Sequence, residues 1–330
     1  MKKELNWTKV AAVGLAAMML LPAYGCGKGE ATGGNAEVIT LEMPADTVLT
    51  EEYIPLADLP AAVANGMTPV ASGKQVASNE FATLDYSNTA DGYIMVQYTA
   101  ATERRLKAQV KGPTTTYTYN LTAGKWEVFP LSDGEGKYQV VVYENVEGSK
   151  YSAKLSQSFD VKLSDEFAPF LRPNQYVDYT PAKNTVAKAA ELVAGKTTAL
   201  EKVAAVYDYV VANITYDYEK VDSLPTGYLP VLDKVLASGK GICFDYAAVM
   251  TGMLRSQGVP CKLVVGYAGT TYHAWVSVYS DKDGWIDGAI YFDGTSWQRM
   301  DPTFASSGDK SEKIMQYIGD GKNYTTKYLY

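Results

Sequence analysis

The sequence predicts two domains of different class, an all-β sandwich followed by an α+β domain with helices packed on an antiparallel sheet. Three observations carry this reading. Between Phe81 and Leu163, seven short runs rich in β-branched and aromatic residues recur, most of them separated by turn residues, as at Gly112-Pro113, Ala123-Gly124 and Glu147-Gly148. From Thr198 to Gln257 the apolar residues fall instead at helical spacing, and beyond Cys261 the strand pattern returns. Between the two lies Ser164 to Lys183, with Pro169, Pro173 and Pro181, the natural place for a boundary. A chain of 330 residues is long enough for two cores.

The chain begins with Lys2, Lys3 and Lys9, passes through an apolar run from Val10 to Leu21 and reaches Ala23-Tyr24-Gly25-Cys26. Such a run is too short to span a bilayer, where about 20 residues are needed, so residues 1–25 read as a secretory signal. A cysteine directly after a small residue at the end of the run resembles a bacterial lipoprotein signal. That resemblance implies that Cys26 is lipidated and holds the protein at the outer face of the bacterial cytoplasmic membrane. Cleavage at an ordinary site nearby, or an uncleaved anchor, is the alternative. Residues 26–50 then form the lipidated cysteine and a Gly-rich tether, with a strand expected at Val38 to Leu41.

Removing residues 1–25 takes away three lysines and one glutamate, leaving 27 basic and 36 acidic residues and a net charge of −9. An acidic surface without a basic patch repels phosphate backbones and anionic lipid heads, so no nucleic acid partner is expected, and membrane contact is expected through the N-terminal lipid alone.

Residues 51–163 are assigned to the sandwich. Its strands are expected at Ala82 to Tyr86, Tyr93 to Tyr98, Leu106 to Val110, Thr115 to Leu121, Trp126 to Phe129, Tyr138 to Tyr143 and Ala153 to Val161. Their number and spacing suggest an immunoglobulin or fibronectin-III type of sandwich. Its role is read as a spacer, since the fold by itself carries no function, with adhesion or substrate presentation as the alternative. The 26 tyrosines against 8 phenylalanines point to rings with a wet edge, as on a binding surface or simply in an exported protein.

Residues 164–183 form the linker and 184–330 the second domain. Thr198-Ala199-Leu200-Glu201 matches a capping box that opens a helix. Asn213 to Tyr218 read as an extended piece, and Val231 to Leu236 as a short helix. A glycine-rich loop, Gly239-Lys240-Gly241, then delivers Cys243 to the start of an apolar helix running to about Gln257. The first N–H groups of a helix lack partners and favour an anion, so a thiol placed there is drawn toward the nucleophilic thiolate. Downstream come the sole histidine, His273, in Tyr272-His273-Ala274-Trp275, and Asp301 in Met300-Asp301-Pro302-Thr303. Strands are expected at Lys262 to Tyr267, Tyr272 to Tyr279, Gly288 to Asp293 and Ser296 to Met300. Alternation puts His273 and Trp275 on one face, and Trp297, Arg299 and Asp301 on another.

Singly, each of these residues has an ordinary structural use. Cys, His and Asp together supply a nucleophile, a base and a group to orient the base. The motifs G-x-C at a helix start, H-A-W on a strand and D-P-T at a strand end, in that order over roughly residues 184 to 305, resemble the transglutaminase-like superfamily, with its papain-like core. The resemblance implies that Cys243 is the nucleophile, His273 the general base and acid, and Asp301 the orienting group, with an oxyanion donor at Tyr216 or Tyr218. It implies cysteine-dependent acyl transfer, or peptidase-like hydrolysis, on a peptide or protein amide, with host protein, cell-wall peptide or the protein itself as substrate. No cofactor and no metal are expected: no acidic loop of calcium-ligand pattern is present, and Cys, His and Asp alone lack the paired spacing of a metal site. Asp245, in the first helical turn, reads as a cap that competes with the thiolate for the helix dipole. The competing reading is a non-catalytic surface module for adhesion or scaffolding.

Cys261 is expected to be unpaired. A helix from Cys243 to about Gln257 is about 22 Å long, and a disulfide needs Cα atoms within about 7 Å. It reads as a small apolar residue opening the next strand.

Overall fold

The structure, a computed structural model, describes residues 38–40, 67–280, 284–286, 290–292, 297–299 and 324–330. Cys26, Asp301 and the signal segment lie outside these residues. The N-terminal strands are β1 (Val38–Thr40), β2 (Val76–Ser78), β3 (Ala82–Asp85), β4 (Tyr93–Tyr98), β5 (Leu106–Lys111), β6 (Thr116–Leu121), β7 (Trp126–Pro130), β8 (Gly136–Glu147) and β9 (Lys150–Val161). Each of the seven runs read from the sequence falls on one of β3 to β9. They pair antiparallel into two sheets, β1-β9-β8-β5-β6 and β2-β3-β4-β7. Leu84, Ile94 and Val96 of one sheet and Val110, Leu121, Val140 and Val142 of the other join one buried cluster. The rings of Tyr119 and Phe129 stack across the sheets at 4.2 Å. Each apolar side chain so buried contributes about 1.5–3 kcal/mol.

The second half opens with α1 (Lys183–Leu192), α2 (Ala199–Asn213), β10 (Thr215–Tyr216), α3 (Tyr218–Ser223), α4 (Leu232–Ser238), β11 (Lys240–Gly241) and α5 (Cys243–Ser256). It continues through β12 (Cys261–Ala268), β13 (Thr271–Ser280), β14 (Gly284–Ile286), β15 (Ile290–Phe292), β16 (Trp297–Arg299) and β17 (Tyr324–Leu329). The capping box of α2 is present. Thr198 Oγ1 accepts the Glu201 N–H at 3.2 Å, and the Glu201 carboxylate accepts the Thr198 N–H at 3.0 Å. Of the extended piece expected at Asn213 to Tyr218, two residues are strand; Asp217 then accepts the Lys220 N–H at 3.0 Å and starts α3.

All fourteen residues of α5 are buried. The helix packs on α1, α2 and α4 and on strands β12 and β13 of the antiparallel sheet β14-β13-β12-β17. Gly252 permits the approach of α4, since a Cβ there would come within 2.6 Å of Leu232 Cδ1. Residues 164–183 are packed rather than loose. Phe170, Tyr176, Val177 and Tyr179 are buried, and Tyr179 Oη donates to the Leu171 carbonyl at 2.6 Å.

The sheets and the helical half share their interior. Tyr117 of β6 meets Tyr328 and Tyr330 with ring centroids 5.6 Å away in each case. Tyr119 meets Tyr176 at 5.6 Å, and Tyr176 meets Phe244 of α5 at 5.5 Å. The tyrosines therefore serve largely as core residues, fourteen of them buried among the described residues.

Candidate active site

The loop before Cys243 is fixed from two sides. Gly239 ends α4 with a positive φ of 60°, a conformation that glycine adopts without strain. Strand β10 then pairs parallel with β11, bringing Tyr216 beside Gly241; the Thr215 N–H donates to the Gly239 carbonyl at 2.8 Å and the Asp217 N–H to the Gly241 carbonyl at 2.9 Å. Of the two upstream aromatics considered as donors, Tyr216 is thus placed against the loop that precedes Cys243, while Tyr218 is 47% exposed and touches Tyr216 edge-on.

Cys243 is the first residue of α5, where the sequence puts it, and is buried. Its helix packs directly on β13, which carries His273. His273 is also buried, opposite Gly266 in the register of β12 and β13, with its ring stacked beside Trp275 at 6.3 Å. The two rings share a face, as alternation requires. Gly266 makes this possible: a Cβ there would run into the Thr325 carbonyl and the Trp275 ring. Burial pushes the hydroxyl of Tyr272, next to His273, well above the ordinary range. A buried, water-poor setting strengthens every charge interaction inside it.

Asp245 is fully buried and caps the helix, accepting the Ile242 N–H at 2.8 Å. It also accepts from Lys220 Nζ at 2.7 Å and from Tyr228 Oη at 2.5 Å. Gly241 leaves room for this fold-back, since a Cβ there would lie 2.6 Å from that of Asp245. Lys220 and Tyr228 carry no motif of their own; the signal that would have found them is the unmatched acidic residue at the third position of a buried helix.

Cys261 is free and buried at the start of β12, its Sγ 3.7 Å from Thr251 Oγ1. Burial pushes its thiol up to about 12. No group of three or more His, Cys, Asp or Glu side chains suited to a metal lies among the described residues, and no described helix is long and apolar enough to cross a membrane.

Residues 186–302 match the family model of the transglutaminase-like superfamily. The chain is 27% identical to the uncharacterised protein YebA of Bacillus subtilis over 48% of its own length and 25% of that protein. It is 26% identical to a protein-glutamine gamma-glutamyltransferase of Pseudomonas aeruginosa over 28% of its length and 14% of that protein. The chain thus spans a quarter or less of the curated relatives it matches. A solved structure from Cytophaga hutchinsonii, named as a candidate cysteine protease, is similar at 16% identity and a TM-score of 0.37, over 72% of this chain and 76% of that one.

Proposed function

We propose that the protein is a cysteine acyltransferase or hydrolase acting on peptide or protein amides at the bacterial cell surface. The observation that carries this is a cysteine at the first position of a buried helix that packs on the strand bearing the histidine. In this reading His273 takes the thiol proton and Cys243 Sγ attacks the amide carbonyl. The amine leaves with the proton returned by the imidazolium, and a thioester remains. A second amine, or water, attacks the thioester while His273 accepts its proton, and the thiolate departs. Asp301 accepts from the imidazole and fixes its tautomer. The named activity of the Pseudomonas relative makes a glutamine side chain the first donor to try.

The test is incorporation of a fluorescent primary amine into a glutamine-containing protein, with ammonia release followed in parallel, for wild type and Cys243→Ala. Turnover that survives Cys243→Ala would overturn the assignment. The burial of Cys243, 1% exposed, favours the second reading of a non-catalytic surface module, and failure to acylate the thiol with any amide donor would select it.

The paired N-terminal sheets are read as an immunoglobulin or fibronectin-III type of sandwich, supported by their antiparallel pairing and shared core. Lipidation of Cys26 is tested by expressing the full chain and Cys26→Ser in a bacterial host. The variant should move from membrane to soluble fraction, and retention of both in the membrane would instead support an uncleaved anchor.

A further inference from the structure

The ring of contacts behind the nucleophile joins three segments. Lys220 comes from α3, Tyr228 from the stretch between α3 and α4, and Asp245 from α5 itself. Lys220 Nζ donates to Asp245 Oδ2 at 2.7 Å and to Tyr228 Oη at 2.6 Å, and lies over the Tyr228 ring at 4.2 Å. Tyr228 Oη in turn donates to Asp245 Oδ1 at 2.5 Å. With the Ile242 N–H, both carboxylate oxygens are filled by charged or polar donors. Asp245 is wholly buried, whereas the Lys220 side chain is 23% exposed.

A buried ion pair is a weak source of net stability, because desolvation offsets the attraction. Its place suggests another use. Asp245 holds the Ile242 N–H and so fixes the peptide that leads into Cys243. A bare carboxylate two residues from the thiol would, however, claim the positive end of the helix for itself. Other titratable groups near this end of α5 include Asp217 at the start of α3, Tyr216 and Lys240 on the paired strands β10 and β11, and Tyr272 and His273 on β13. Lys220 is the cation that meets the carboxylate directly.

We propose that Lys220 is a positioning residue for the Cys243 thiol: its ammonium neutralises the buried Asp245 cap, so the cap orders the first turn of α5 without setting an uncompensated negative charge beside the nucleophile. The proposal rests on reading Cys243 as a nucleophile. Burial, and the Asp245 carboxylate after it, push the Tyr228 hydroxyl well up, so it remains a donor that supports the same ring.

The test is the second-order rate of Cys243 alkylation by iodoacetamide at pH 7 on the full chain, read by mass spectrometry, with the thermal midpoint as a fold control. Lys220→Met should slow alkylation about tenfold, which corresponds to ~1.4 kcal/mol. Lys220→Arg, which keeps the charge, should return it to within about twofold of wild type. If Lys220→Met fails to fold, Lys220→Gln is read in its place. Wild-type alkylation in the charge-removing variant, or equal slowing in Lys220→Arg, overturns the proposal. Alkylation needs no substrate, so absence of turnover by wild type would count against the proposed enzyme and leave this result standing.

Discussion

Cys243 and Cys261 lie just inside one end and just beyond the other of the same buried helix, and are equally hidden, at 1% and 0% exposure. Solvent access therefore does not separate them; their neighbours do. Cys243 has the open N–H end of α5, a neutralised cap and the histidine-bearing strand. Cys261 has the carbonyl end, where the helix dipole disfavours an anion, and a cation already engaged. Arg255 donates from Nε and Nη2 to the Cys261 carbonyl at 2.9 and 2.7 Å, from Nη1 to the Arg172 carbonyl at 2.8 Å and from Nη2 to the Tyr330 carbonyl at 2.6 Å. Desolvation of the Cys261 thiol outweighs that nearby charge. A cation close by is thus not enough by itself to offset the desolvation of a buried thiol.

The largest expected effect is at the Cys243 end. If Asp301 orients His273, Asp301→Asn should lower kcat by up to about 10⁴-fold, the loss seen for the equivalent change in a serine protease triad. His273→Ala should match it in kcat, with some added loss of stability from the cavity left by the buried ring. An Asp301→Asn enzyme with wild-type kcat would leave a Cys/His dyad.

At the opposite end the loss should fall on stability. Arg255→Met strips three main-chain carbonyls of a donor and should cost about 3 kcal/mol in urea unfolding, part of the loss being offset by removing a buried charge. The kcat per folded molecule should be unchanged. A lowered kcat at full folding would show that the two ends are coupled through α5.

The third prediction compares the thiols directly. At pH 6, iodoacetamide should label Cys243 at least about 100-fold faster than Cys261, because labelling follows the thiolate and exposure is the same. Equal labelling would remove the distinction on which the active-site reading stands.

Much of this contrast was legible in the sequence because its signals are local. The Thr198 and Glu201 cap, the Gly239 to Gly241 loop and the alternating runs of β3 to β9 each announce an element within a few residues. The missed pieces take their partners from far away. Helix α1 lacks a cap of its own; Asp233, on α4, accepts the Asn184 and Thr185 N–H groups at 3.1 and 2.7 Å. Helix α3, six residues long, is docked by a lysine whose carboxylate lies 25 positions onward. The tyrosine-rich seam could not be foreseen either, since composition leaves open whether a ring's edge meets water or another ring.

The smallest expected effect lies at Cys261. Cys261→Ala removes one buried sulfur and should cost about 1 kcal/mol at pH 7. The pH dependence follows from the raised thiol. In the folded protein it holds its proton up to about 12, against the ordinary 9.0, so its contribution is fully present below pH 9. Above that, the unfolded chain releases the proton first, and the contribution is lost as pH rises from 9 toward about 12. Buried tyrosines that titrate in the same range are common to both proteins and cancel in the difference. Urea unfolding of wild type and Cys261→Ala at pH 7, 9 and 10 should therefore show the wild-type advantage shrinking between the last two points and vanishing or reversing by pH 10. An advantage that stays constant across the three would mean that the Cys261 thiol ionises as freely folded as unfolded, and that the two ends of α5 are chemically more alike than their surroundings indicate.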